Sequence, residues 1–341
     1  MKKMHRFMLV TLSIIMVFSL TACGEKAAPS TETPAASGSA EPTVLKLGMT
    51  INEQDSFYVC AQKFAELVKE RTNNAYDIEL FPNSALGDER TMLESMQMGT
   101  LDAGIITSGP FVNFVPEFGV LDMPFLFPNN EAAYKVLDGE IGKEILTKLE
   151  AKDLKGLAYA ERGFRNLTNS VRPVKTAADV NGLKIRVMEN EVYIASFNAL
   201  GVNTVPMAWT EALTALQQGT IQGQENPVNV IHAYKMWDSQ KHVTMTRHAY
   251  AAAVITFSLE KFNSLPADIQ KIFIDAAQEA AEYERAWVAE NEASQIDTLK
   301  ENGMEVIEDP DLDSFKAAVQ PVYDKYPQYS DYLKRINEAI K

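Results

Sequence analysis

The sequence predicts an α/β protein of two lobes. Short strand patterns alternate with helical patterns from residue 44 onward, and the alternation restarts near residue 154. One very long helical stretch, rich in Ala, Glu and Gln, begins at Pro266 and runs to about residue 302. Alternation of this kind implies a parallel or mixed sheet covered on both faces. At 341 residues the chain also suits two moderate domains better than one. Two lobes with several chain crossings therefore fit better than one large sheet, and a cleft between such lobes is a common place for a small ligand.

In order, Val44-Leu45-Lys46-Leu47-Gly48-Met49 reads as a strand, and residues 55–71 place apolar side chains at helical spacing. Residues 77–81 give a second strand, 87–98 a second helix and 101–107 a third strand. Residues 109–130 carry four prolines and read as loop, followed by helices over 131–137 and 140–150. The restart places strands at 154–159 and 183–188. Helices follow over 190–200, stopped by Gly201, and 209–218, stopped by Gly219. Strands are predicted at 242–246 and 251–258, and no fixed-period repeat is visible.

Composition sets further bounds. The hydrophobic fraction of 46% is that of a globular chain with a real core. The net charge of −14 opposes binding to nucleic acid or anionic lipid, and an anionic ligand would need a local positive site. Two cysteines give no disulfide framework. Cys60 falls on the apolar face of the first helix and reads as a buried, inert thiol.

Cys23 is different. Lys2, Lys3 and Arg6 precede a nearly wholly apolar run over residues 7–20, which ends in Leu20-Thr21-Ala22-Cys23-Gly24. This is the charged, apolar and small-residue order of a secretory signal, and the apolar run is short for a transmembrane helix. Leu-Thr-Ala-Cys also resembles the lipobox of bacterial lipoproteins, which implies cleavage before Cys23 and acylation of its sulfur. Residues 25–42, rich in Ala, Ser, Thr and Pro, read as a flexible tether. The expected location is the extracytoplasmic face of the membrane, in a periplasm or at a cell surface, held by lipid.

Catalytic motifs are missing from the sequence. His232, His242 and His248 show no zinc-ligand spacing, and there is no GxSxG elbow, phosphate-cradling loop or dinucleotide fingerprint. No metal, cofactor or enzymatic activity is expected. An exported lipoprotein enzyme acting on acidic sugars is the alternative, because a carboxylate pair leaves no mark in sequence.

Residues 163–227 carry the most specific pattern. Gly163-Phe164-Arg165-Asn166-Leu167-Thr168-Asn169 is followed by Leu183-Lys184-Ile185-Arg186-Val187, then Val205-Pro206-Met207-Ala208-Trp209-Thr210-Glu211. Ile221-Gln222-Gly223-Gln224-Glu225-Asn226-Pro227 closes the run. Leu86-Gly87-Asp88-Glu89-Arg90, Gly99-Thr100-Leu101-Asp102 and Met123-Pro124-Phe125-Leu126-Phe127 precede it. Together they closely resemble the solute-binding proteins of tripartite ATP-independent periplasmic (TRAP) transporters, the DctP-type family.

The resemblance implies a two-lobe, periplasmic-binding-protein-like fold with crossing strands and a long C-terminal spanning helix. Lobe I would comprise residues 44–163 and about 252–291, lobe II residues 164–251 and about 292–320, with 321–341 a C-terminal segment. It implies an organic-acid ligand handed to the TRAP permease membrane subunits. Arg186 would grip the carboxylate, and Arg165 and Asn226 would add contacts. Trp209 would line the cleft, and Thr50, Glu89 and Thr107 stand at positions that touch ligand in some members. Arg165, read in a loop, and Asn226, before a proline, also fit a structural salt bridge and a turn.

The chemistry suits the transfer. A guanidinium fork meets both oxygens of a carboxylate with charge assistance. On a strand, Arg186 points opposite to Ile185 and Val187, so its neighbours can anchor while it faces a cleft. Burying it unpartnered is costly, so the ligand-free protein is expected to be open and wet, closing on its ligand. Two departures bear on the ligand. Met188 stands where many members have proline. Thr107 stands where sialic-acid-binding members have an acidic residue, which argues against sialic acid. The chain looks nearer to members that bind sugar acids such as uronates or keto-gulonates, with a C4-dicarboxylate or other carboxylate as the alternative.

Overall fold

The computed structural model describes residues 41–341. The signal, the cleavage site at Cys23 and nearly all of the tether lie outside the described residues. Among the described residues, nine strands form one hydrogen-bonded sheet. They are β1 (Thr43–Gly48), β2 (Tyr76–Phe81), β3 (Ala103–Thr107), β4 (Leu154–Asn169), β5 (Lys184–Val187), β6 (Asn203–Pro206), β7 (Gly223–Asn226), β8 (His242–Ser258) and β9 (Glu305–Ile307). The order is β2-β1-β3-β8-β4-β7-β5-β6, with β9 beside β8.

Two long strands join the halves. β1, β2 and β3 run parallel to one another, as do β5, β6 and β7, and β4 and β8 cross between the two sets as an antiparallel pair. The expectation of two lobes with crossing strands matches this arrangement, although the hydrogen-bonded ladder is continuous through both. Residues 160–169, outside any predicted strand, belong to β4, so Arg165 sits in a strand and not a loop. The cause is a break in the pleat. Glu161 pairs with Ala252 and Gly163 with Ala251, which leaves Arg162 as an extra residue. Such a bulge disturbs the alternation of faces and re-aims the side chains that follow. Gly163 (φ +104°) supplies the left-handed backbone there. A second irregularity sets Asn166 against four residues of β8, between Thr244 and Ala249, and Arg247 has φ +44° there.

The predicted helices form with their caps. Asp55, Asp88 and Asn190 each accept a backbone N–H at the start of the helices Ser56–Arg71, Glu89–Gln97 and Glu191–Ala199. The long helix spans Ala267–Glu301 and lays Phe273, Ala276, Ala277, Ala280 and Ala281 on the β1–β3 half of the sheet. Phe64, Phe257 and Phe273 meet edge to face there, with centroids 5.6–6.2 Å apart. Cys60 is fully buried beside them, and burial pushes its thiol well up. The stretch after residue 312, given no elements in the sequence reading, forms the helices Leu312–Val319, Pro321–Lys325 and Ser330–Ala339. Its tyrosines clip it on: Tyr323, Tyr326 and Tyr329 donate to the carbonyls of Pro124, Glu191 and Pro116.

Candidate functional site

The parallel strands of both halves bring their carboxyl ends to one crevice, where open α/β sheets place their ligands. From one half come Thr50, just past β1, and Glu89, at the start of the helix Glu89–Gln97. From the other come Arg186 in β5 and Trp209, which opens the helix Trp209–Gln217 after β6. These four predicted residues line one narrow cavity of about 30 Å³, together with Asp88, Glu189 and Met207. Larger cavities lie between β4 and the long helix, behind the β4–β8 crossing and along the outer face of the helix Trp209–Gln217, and hold none of the predicted residues.

Arg186 is 3% exposed, and among the described residues it forms no ion pair. Its Nε and Nη2 donate to the carbonyl oxygen of Met207 at 3.0 and 2.7 Å. The guanidinium carbon lies 5.5 Å from the centre of the Trp209 ring. Burial pulls the guanidinium down to about 10, opposed by Glu225, Glu89 and Glu189 and reinforced by Arg165. It therefore remains a cation at neutral pH. The expected open and wet cleft is not the arrangement seen. The lobes are closed on Arg186, and a carbonyl and an aromatic face partly offset the desolvation.

Glu89 is held across the crevice. Its Oε1 accepts the backbone N–H of Thr107 at 2.7 Å, at the carboxyl end of β3. Thr107 is 3% exposed and reaches the cavity through Glu89, not with its own side chain.

Arg165 and Asn226 are placed differently. Arg165 is 1% exposed and its fork is closed by Glu225: Nε pairs with Oε2, while Nη2 donates to Oε1 at 2.8 Å and to the Glu225 carbonyl at 2.6 Å. His248 Nε2 lies 3.2 Å from the same Oε2, and Thr246 Oγ1 lies 2.8 Å from His248 Nδ1. Arg165 first, then His248, hold the Glu225 carboxylate down to about 2 against its burial. Asn226, in β7, donates to Gln224 Oε1 at 2.6 Å. Neither Arg165 nor Asn226 lines the cavity. Sequence reasoning overlooked Glu225 as the group that organises this side. Its one signal was an acidic residue inside the quoted run 221–227.

A further buried acid lies close by. Asp122 accepts from Ser108 Oγ at 3.1 Å and from Asn190 Nδ2 at 2.8 Å, and burial raises it to about 7. Among the described residues no group of three His, Cys, Asp or Glu side chains is placed to hold a metal ion. No helix there is long and apolar enough to cross a membrane.

A mixed sheet crossed by two long strands, with the buried Arg186 guanidinium in the crevice between its halves, defines a two-lobed solute receptor. The comparisons give the family: residues 47–329 match DctP, the bacterial extracellular solute-binding protein family 7, and the chain belongs to it as a TRAP transporter solute-binding protein. It is 39% identical over 300 residues to the 2,3-diketo-L-gulonate-binding periplasmic protein YiaO of Escherichia coli, covering 86% of this chain and 92% of that one. A solute-binding protein of a Polaromonas species bound to D-erythronate superposes with a TM-score of 0.85 at 43% identity, over 87% of this chain and 98% of the other. The sugar acid binding protein of Advenella mimigardefordensis in complex with galactonate does so at 0.85 and 32%, over 88% and 98%.

Proposed function

We propose that the chain captures a sugar acid, of the aldonate, uronate or keto-gulonate kind, and delivers it to the permease subunits of its transporter without altering it. The observation that carries this reading is Arg186, buried in the inter-lobe crevice and forming no ion pair with a carboxylate among the described residues. A ligand carboxylate supplies the missing charge, and an Arg–carboxylate fork is the strongest single contact such a crevice can make. The sugar acids bound by the three relatives support the ligand class. A C4-dicarboxylate is the second ligand reading.

In this reading lobe I is residues 44–163 and about 252–291, and lobe II residues 164–251 and about 292–320. Arg165 and Asn226 act from the lobe II wall when the crevice opens, and Cys23 carries the lipid that holds the receptor at the outer face of the membrane.

A thermal-shift screen tests it, with aldonates, uronates, keto-gulonates, C4-dicarboxylates and neutral sugars as probes. A ligand that binds only the folded protein raises its melting temperature with concentration. Sugar acids are expected to do so and neutral sugars are not. A response to neutral sugars alone, or recovery of a chemically changed ligand, overturns the proposal.

A further inference from the structure

The cavity that holds Arg186 carries more negative than positive side chains. Glu89, Asp88 and Glu189 line it, against Arg186 and Arg90. Arg90 is already engaged, its Nε donating to Glu94 Oε1 at 3.0 Å, one helical turn on. Asp88 is engaged too, because its Oδ1 caps the helix by accepting the Thr91 N–H at 2.8 Å. Glu89 differs from both. One of its oxygens is fixed by the Thr107 N–H, so the carboxylate is held in place on the lobe opposite Arg186, and no lysine, arginine or histidine among the described residues forms an ion pair with it.

The consequences differ for two kinds of anion. A polyhydroxy acid with one carboxylate puts that group on Arg186 and turns hydroxyls toward Glu89. Hydroxyl donors to a carboxylate make charge-assisted hydrogen bonds. A dicarboxylate of the same skeleton must bring its second anionic group toward Glu89 and Glu189. Like charges at close range repel, and neither group can donate a hydrogen bond to the other. Discrimination of this kind works by repulsion of the wrong ligand as much as by attraction of the right one.

We propose that Glu89, pinned by the Thr107 amide across the crevice from Arg186, is a specificity-determining residue that selects hydroxylated monocarboxylates over dicarboxylates of equal length. The inference rests on the proposed function, in which Arg186 takes the ligand carboxylate.

Calorimetry on the full receptor with matched pairs tests it: gluconate with glucarate, galactonate with galactarate, erythronate with tartrate. Each pair keeps the carbon chain and converts a terminal CH₂OH into a second carboxylate. The wild type should prefer the best-binding monoacid over its diacid by tenfold or more. Glu89→Gln keeps a carbonyl oxygen for the Thr107 N–H and removes only the charge. It should weaken the monoacid, strengthen the diacid and reduce the ratio at least tenfold, with an unchanged melting temperature in the absence of ligand. Equal wild-type affinities, or a ratio unchanged in Glu89→Gln, overturn the inference while leaving a carboxylate receptor. Binding of dicarboxylates alone does the same. Failure of every acid to bind overturns the proposed function itself.

Discussion

Arg186 gives two of its N–H groups to the carbonyl oxygen of Met207, at 3.0 and 2.7 Å, and so meets the crevice with its orientation already set. β5 carries the arginine, and Met207 follows the end of β6, which is paired with β5 in parallel. The pairing that builds this edge of the sheet therefore also aims the guanidinium. A fork fixed in advance loses little freedom on meeting a carboxylate, and preorganisation of this sort raises affinity without adding contacts.

Removal of the fork should consequently weaken binding more than it weakens the fold. Arg186→Ala is expected to cost about 2–5 kcal/mol of ligand affinity, the usual loss when one partner of a desolvated charge pair is truncated. Arg186→Lys keeps a cation but loses the planar fork, and should fall between the two. Calorimetry with the ligand found by the thermal-shift screen measures both. An Arg186→Ala affinity equal to wild type would show that the carboxylate binds elsewhere.

Trp209 offers an optical reading of the same event. Its ring faces the Arg186 guanidinium at 5.5 Å and lies edge-on to Tyr234 at 5.1 Å. A carboxylate arriving at Arg186 changes the charge next to the indole, so intrinsic fluorescence should shift on ligand addition. Trp237 and Trp287 do not line this cavity. Trp209→Phe should abolish the signal while calorimetry still detects binding. Persistence of the full signal in that variant would place its source at another tryptophan.

The Arg165–Glu225 pair predicts a stability effect. Both side chains are almost wholly buried and the fork is doubly bonded. Glu225→Gln leaves the Arg165 charge buried without its partner, and such losses run to about 3–5 kcal/mol. Urea unfolding of the ligand-free protein should register a loss of that size. A loss below about 1 kcal/mol, the range of an exposed pair, would mean that solvent reaches Arg165.

What could be read ahead of the structure divides along local and non-local lines. The helices over 55–71, 87–98 and 190–200 were legible as local helical patterns, while their caps Asp55, Asp88 and Asn190, which the structure sets just before the first helical residue, were not read in advance. Thr50, Glu89, Arg186 and Trp209 were legible through a spread of ordered motifs, and the crevice brings all four together. The continuation of β4 past Tyr159 was hidden by Glu161, Arg162 and Gly163, which look like a turn in sequence. In the fold Glu161 is bonded to Tyr134 and Arg162 to Asp55, so neither charge ends the strand. The partner of Arg165 is 60 residues away, and nothing in a single sequence marks so distant a pairing. The carbonyl of Met207 was equally invisible, since a backbone acceptor carries no residue signature.

The buried acids predict how stability follows pH. Burial, with Glu161 adding to it and Ser56, the Glu161 N–H and Arg285 opposing it, pushes Glu284 on the long helix up to about 8. Burial likewise raises Glu161 and Asp122 to about 7. In an unfolded chain such groups release their protons near pH 4. Between there and pH 8 the native state binds more protons than the unfolded state, so stability falls as pH rises. Glu225 acts in the opposite sense: held down to about 2, it contributes stability above the usual carboxylate range that is lost as pH falls toward 2. The two effects together place maximum stability near pH 4, with a melting temperature several degrees lower at pH 8 than at pH 5. Glu284 Oε2 accepts the Glu161 N–H at 2.8 Å and its Oε1 has no partner, so Glu284→Gln keeps the one hydrogen bond and removes the titration. Melting curves from pH 5 to 8 should be flatter for Glu284→Gln than for wild type. An equally steep decline in both would show that Glu284 does not titrate in this range, and would leave Glu161 and Asp122 to account for the slope.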